Sequence, residues 1–166
     1  MMRTRLLVLL LAAASAFAQL DAAPDNGTSN QLVEIAPPNT VTVSGKKPGK
    51  LVVEFRIKNG LHINSNQPLS RFIIPTKLTF TSLPRGIRAG KVTYPAGQQI
   101  ALDIAPDEKL SVYSGDVTLA ASLLGGAAAK SGTYPAKAQL QYQACDNRMC
   151  YPPKTAPIDF QVKVGK

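Results

Sequence analysis

KLVVEFRIK, residues Lys50 to Lys58, alternates apolar and polar side chains. Leu51, Val53, Phe55 and Ile57 share one side, and Glu54, Arg56 and Lys58 share the other with Val52. A period of two puts successive residues on opposite faces, so this stretch reads as a half-buried β-strand. Asn59-Gly60 closes it with a turn dipeptide. The same pattern recurs along the chain. Ala138, Leu140 and Tyr142 alternate with Gln139, Gln141 and Gln143, and Ile158, Phe160, Val162 and Val164 share one face of a last strand.

Between these lie further short extended segments: Gln31 to Ile35, Thr40 to Ser44, Lys77 to Ser82, Ile87 to Tyr94 and Gln99 to Ile104. Leu110 to Leu124 reads as one or two strands, broken near Ser114-Gly115-Asp116. Leu61 to Pro75 is irregular, Ala105 to Lys109 reads as a loop, and Gly125 to Thr133 is small and mobile in composition. A helical turn within Leu119 to Lys130 is opposed by its paired glycines. About eight to ten short strands with this turn spacing predict an all-β fold, an antiparallel β-sandwich with one polar outer face.

Met1 to Ala18 stands apart. Arg3 and Arg5 precede an apolar run from Leu6 to Ala14, and Ala16-Phe17-Ala18 offers small residues at the positions a signal peptidase reads. The run is much shorter than the roughly 20 residues that span a bilayer. Residues 1–18 are therefore expected to be a signal peptide, 19–30 a flexible polar leader, and 31–166 one domain. The protein is expected to be soluble, exported and monomeric, in an oxidising compartment where disulfides persist. The net charge is +9, falling to +7 without Arg3 and Arg5. Its lysines and arginines are scattered, which reads as a solvated surface, so no nucleic-acid partner is expected.

The only two cysteines sit in YQACDNRMCYPPKT, Tyr142 to Thr155. Cys145 ends a strand, Asp146-Asn147-Arg148-Met149 has turn composition, and Cys150 begins a proline-rich exit. A reversal there would bring the two Cα atoms within the roughly 4.4–6.8 Å a disulfide needs. So small a loop gives a staple roughly 2 kcal/mol by chain entropy, against nearly 5 kcal/mol for a loop of about 100 residues. Spacing leaves both a structural staple and a redox pair open. Soft Cu(I) ligands also exist in Cys145, Cys150 and Met149, with His62 the sole imidazole. No second close pair completes a zinc site, no Gly-x-Ser-x-Gly element is present, and no further cofactor is expected.

Tyr142-Gln143-Ala144-Cys145, followed by Cys150-Tyr151-Pro152-Pro153-Lys154-Thr155, resembles the signature of the N-terminal periplasmic domain of the thiol:disulfide interchange protein DsbD. A weaker likeness runs from about Gln31 to Val164, through Ile57-Lys58-Asn59-Gly60 and Val117-Thr118-Leu119. The resemblance implies an immunoglobulin-like antiparallel β-sandwich with the cysteine pair on adjacent strands at one edge. It implies a periplasmic redox-active disulfide, Cys145–Cys150, charged by a membrane electron donor of DsbD or CcdA type. Its electrons would go to periplasmic thioredoxin-fold proteins. By position Cys150 would attack the partner and Cys145 would resolve the mixed disulfide. An immunoglobulin-like binding module with a purely structural disulfide, and a Cu(I)-handling protein, are the alternatives.

Three departures from the family pattern bear on the site. The spacer between the cysteines has four residues, one fewer than the family type. The family's Phe-Tyr-Gly cap is missing from the corresponding stretch, Asp107-Glu108-Lys109-Leu110-Ser111-Val112-Tyr113, where Leu110 or Tyr113 is the candidate substitute. Family tyrosines near the cysteines give way to Leu61-His62-Ile63-Asn64. A cationic His62 close to Cys150 would lower that thiol's pKa; otherwise His62 is an ordinary loop residue. His62, Asn64, Asp107, Glu108, Tyr113 and Tyr151 are thus the expected surroundings of the pair.

Overall fold

In this computed structural model the described residues are 31–45, 47–70, 73–102 and 105–165, with only the backbone described for 102 and 105–108. The expected signal peptide and leader lie outside them. Gln31 to Lys166 forms one compact unit.

β3 (Gly49–Ile57) realises the alternation of the opening stretch: Leu51, Val53, Phe55 and Ile57 are buried, with Glu54 and Arg56 outside. It lies between β1 (Val33–Ile35) and β9 (Asp116–Gly125), and β6 (Ile87–Thr93) completes this sheet in the order β1-β3-β9-β6. A second sheet runs β2-β12-β10-β5, with β2 at Val41–Ser44, β5 at Lys77–Ser82, β10 at Gly132–Tyr142 and β12 at Lys154–Gly165. Ala138, Leu140 and Tyr142 of β10 and Ile158, Phe160 and Val162 of β12 point inward together. Inner faces of both sheets join one core with Leu51, Leu119 and Leu140 fully enclosed, each worth roughly 1.5–3 kcal/mol by burial.

A third sheet carries the site. Its order is β11-β4-β8-β7: β4 is His62–Asn64, β7 Gln98–Leu102, β8 Ala105–Tyr113 and β11 Ala144–Cys145. Ile63, Tyr113 and Ala144 tie it into the common core. The fold is the expected all-β sandwich, with three differences of detail. The described residues hold twelve strands, because β4 lies in the stretch read as irregular and β11 is split from β10 at Gln143. Ala105 to Lys109 is strand, not loop: it pairs with β7, so polar composition here marks one arm of a hairpin. And β2 runs parallel to β12, the one parallel strand pairing among the described residues.

Candidate functional site

β10 delivers the chain to the site. After Tyr142 it passes through Gln143 into β11, which pairs antiparallel with β4: Ala144 faces Ile63 and Cys145 faces His62. Cys145 and Cys150 then pair with each other as an isolated antiparallel bridge. Their sulfurs are bonded at 2.00 Å. Their Cα atoms are 3.9 Å apart, closer than the expected range, because the two residues sit directly opposite across a tight reversal. Cys145 is wholly buried and Cys150 is exposed.

Asp146 builds the reversal. Its backbone N–H donates to the Met149 carbonyl at 2.9 Å. Its Oδ1 accepts the N–H groups of Arg148 at 2.7 Å and Met149 at 2.8 Å, and its Oδ2 accepts the Tyr151 hydroxyl at 3.0 Å. This is the local side-chain-to-backbone bonding that favours Asp in turns. The backbone N–H of Arg148, then that of Met149, holds the Asp146 carboxyl below its ordinary range. The same carboxylate raises the Tyr151 phenol through their hydrogen bond. Composition marked these four residues only as a turn; the role of Asp146 follows from its position one residue after Cys145.

The flanks are tied down by Gln143. Its Nε2 donates to the Tyr151 carbonyl at 3.3 Å, and its Oε1 accepts Asn64 Nδ2 at 3.3 Å and the Ile74 N–H at 3.4 Å. Asn64 is buried, and its Nδ2 also donates to the Ile74 carbonyl at 3.0 Å. The Tyr151 N–H donates to the Ala144 carbonyl at 2.8 Å. Asn64 and Tyr151 therefore meet at the cysteine hairpin through Gln143, whose place in the Tyr-Gln-x-Cys motif gave no sign of this role.

His62 is not a loop residue. It lies on β4, is 5% exposed, and stands across from the buried Cys145 rather than beside Cys150 as the register places it. Its Nε2 is buried with no hydrogen-bond partner among the described residues. Burial lowers its pKa, partly opposed by the Asp146 carboxylate. That favours neutral imidazole, so the surroundings disfavour the cationic form that would lower the Cys150 pKa. Tyr113 pairs with Ile63, lies in the core, and donates its hydroxyl to Asn66 Oδ1 at 2.6 Å. Leu110 is buried on β8, and Asp107 and Glu108 lie on the same strand, their side chains outside the described set. Met149 is 57% exposed, and among the described residues no three His, Cys, Asp or Glu side chains gather as a metal cluster.

A β-sandwich with a disulfide bridging one buried and one exposed cysteine at a sheet end defines an immunoglobulin-like module with a disulfide open to exchange on one side. The family model for the N-terminal domain of the thiol:disulfide interchange protein DsbD matches residues 13–161, and the chain belongs to that family. Family and cysteine pair together support thiol–disulfide exchange. Among solved structures, the chain is similar to the N-terminal periplasmic domain of ScsB from Proteus mirabilis. The TM-score is 0.53 at 12% identity, over 73% of this chain and 43% of that one. It is also similar to the reduced DsbD N-terminal domain of Neisseria meningitidis, with a TM-score of 0.43 at 19% identity over 68% of this chain and 77% of that one. No curated protein matches by sequence. Among the described residues no helix is long and apolar enough to cross a membrane.

Proposed function

We propose that this chain is a periplasmic electron relay, taking reducing equivalents from a membrane thiol donor of DsbD or CcdA type and passing them to thioredoxin-fold proteins. One observation carries the reading: an exposed Cys150 bonded to a wholly buried Cys145. A partner can reach one sulfur and not the other, which orders the exchange.

In the reduced chain the Cys150 thiolate attacks a sulfur of the recipient's disulfide. That S–S bond breaks, one recipient thiolate leaves, and a mixed disulfide forms. The Cys145 thiolate then attacks Cys150 Sγ, the mixed disulfide breaks, and the recipient departs as a dithiol. Two electrons have passed to the recipient and the Cys145–Cys150 bond has re-formed. A donor dithiol resets the chain by the reverse sequence. Asp146 and Gln143 hold the two arms of the hairpin so that resolution is a short-range event.

Trapping tests this. Reduced Cys145→Ser, mixed with an extract of the exported compartment, is expected to hold a thioredoxin-fold protein as a mixed disulfide, and Cys150→Ser to hold none. Capture of no such protein, with a reduction potential below about −300 mV, would mark the bond as a structural one instead.

A further inference from the structure

We propose that His62 is the proton acceptor for Cys145 when that thiol resolves the mixed disulfide; the inference rests on the relay reading and adds a residue to it. Cys145 and His62 are direct cross-strand partners in the β11–β4 pair. Such partners project from the same face with Cβ atoms about 4.5–5.5 Å apart. Both are buried.

A buried thiol is reluctant to ionise, since burial penalises the thiolate. Yet only the thiolate attacks. In the mixed disulfide Cys145 is a free, enclosed thiol that must lose its proton without bulk water at hand. His62 offers the acceptor. Its Nε2 is out of reach of solvent and without a hydrogen-bond partner among the described residues. An unmatched buried nitrogen is costly and calls for a reason such as a catalytic role. Its environment keeps the ring neutral, the form that can accept.

The resulting imidazolium also has a counter-charge. Asp146, next to Cys145, acts on His62 in the direction that favours the cation. Its carboxylate is held ionised by the turn. On the other flank of β4, Tyr113 faces Ile63 and so belongs to the alternate face. Among the described residues Asp146 is the charged group acting on the ring.

The step balances. The Cys145 S–H proton moves to His62 Nε2, and the thiolate attacks Cys150 Sγ. The bond from Cys150 to the partner breaks, and the partner leaves as a thiolate. That thiolate takes up a proton and His62 gives up its own, so the ring ends neutral.

The reduced full chain mixed with excess dithiobis-nitrobenzoate reads the two steps separately. Attack by Cys150 releases one coloured thiolate and resolution by Cys145 releases a second. In His62→Gln the first phase is expected to stay within about twofold, while the second slows about a hundredfold at neutral pH, the low end of what general base catalysis contributes. The wild-type second phase should level off once His62 is neutral, at a pH below the ordinary imidazole range. Without that base it should climb about tenfold per pH unit through neutrality until the thiol itself ionises. A second phase of equal rate and pH profile in wild type and His62→Gln overturns the proposal. Should His62→Gln not fold, a wild-type second phase still climbing through neutrality overturns it. Failure of the relay reading shows elsewhere, as the absence of a trapped partner for Cys145→Ser, and does not alter the two-phase readout.

Discussion

Asn64 grips Gln143 twice: its backbone N–H donates to the Gln143 carbonyl and its side-chain Nδ2 to Gln143 Oε1, both at 3.3 Å. The residues are 79 apart in sequence. Gln143 passes the constraint on to Tyr151, beyond the second cysteine. The hairpin that carries the disulfide is thereby anchored to β4 on its strand side and to its own exit on the other.

Truncating Asn64 should be expensive. Asn64→Ala takes its side-chain donor from the Ile74 carbonyl in a largely enclosed place, and leaves Gln143 Oε1 with only the Ile74 N–H. An unsatisfied buried polar group costs about 1–3 kcal/mol. Urea unfolding of the oxidised protein should show a midpoint lower by that equivalent with an unchanged slope. A change below about 0.5 kcal/mol, the size of an ordinary surface substitution, would show that Asn64 does not hold the hairpin.

How far all this was readable in advance divides along physical lines. Strands that bury one face announced themselves through their period: β3, β10 and β12 show the expected side chains inside. β4 was not readable, since its three residues are all buried and show no alternation. The arm of β8 from Ala105 to Lys109 has loop composition, and its pairing with β7 sets its structure instead. The parallel contact of β2 with β12 joins segments far apart in the chain, which no local pattern reports. At the site, Cys145, Cys150 and their flanks stood out as a motif. The facing of His62 and Cys145, and the roles of Gln143 and Asp146, come from register and from one bend of the backbone.

Asp146 gives an acid-side prediction. Its carboxyl is held below the ordinary carboxylate range, chiefly by the N–H groups of Arg148 and Met149. A carboxyl with a depressed folded pKa adds stability above its unfolded pKa, and the gain is lost as pH falls through the folded value. Thermal melts of wild type and Asp146→Ala should differ at neutral pH and converge in strong acid. In thiol–disulfide equilibrium the variant's bond should also be the easier to reduce, because its loop no longer presets the two cysteines. A gap that stays constant into strong acid would remove the carboxylate from the explanation.

His62 predicts the opposite flank of the pH scale. Its folded pKa is lowered by burial, so the unfolded chain binds the proton more tightly. Stability then rises as pH climbs through the ordinary imidazole range and falls again on acidification. Replacing the ring with the unchargeable His62→Phe should flatten the stability profile between about pH 5 and pH 7. The chain has one histidine, so no other imidazole contributes. An undiminished slope in the variant would place its source in the carboxylates.

Gly86 supplies a test of the scaffold away from the cysteines. It turns the chain into β6 with φ at +81°, and its carbonyl accepts the Gly126 N–H at 2.7 Å. A Cβ there would collide with the backbone of Ala128 and Ala129. Backbone cannot rotate aside as a side chain can, so Gly86→Ala combines a left-handed penalty with an overlap. The expected loss is at least about 1–3 kcal/mol. Differential scanning calorimetry should show the lowered melting temperature, and a variant as stable as wild type would show that the turn can re-form around a different backbone.

The two cysteines should part company chemically once the bond is opened. Cys150 is exposed and Cys145 is wholly buried in the oxidised chain. Alkylation needs both a thiolate and a path for the reagent. After reduction and brief exposure to iodoacetamide, mass spectrometry of the native protein should find the label on Cys150 first. Cys145 should be modified only as the hairpin opens locally, at a rate that rises with denaturant. Singly labelled protein should then be unable to re-form its disulfide or release a coloured second equivalent. Equal labelling at both positions in native conditions would mean that the hairpin unfolds on reduction. In that event burial in the oxidised state could not decide which sulfur a partner meets, and the order of attack and resolution would have to be set by something other than access.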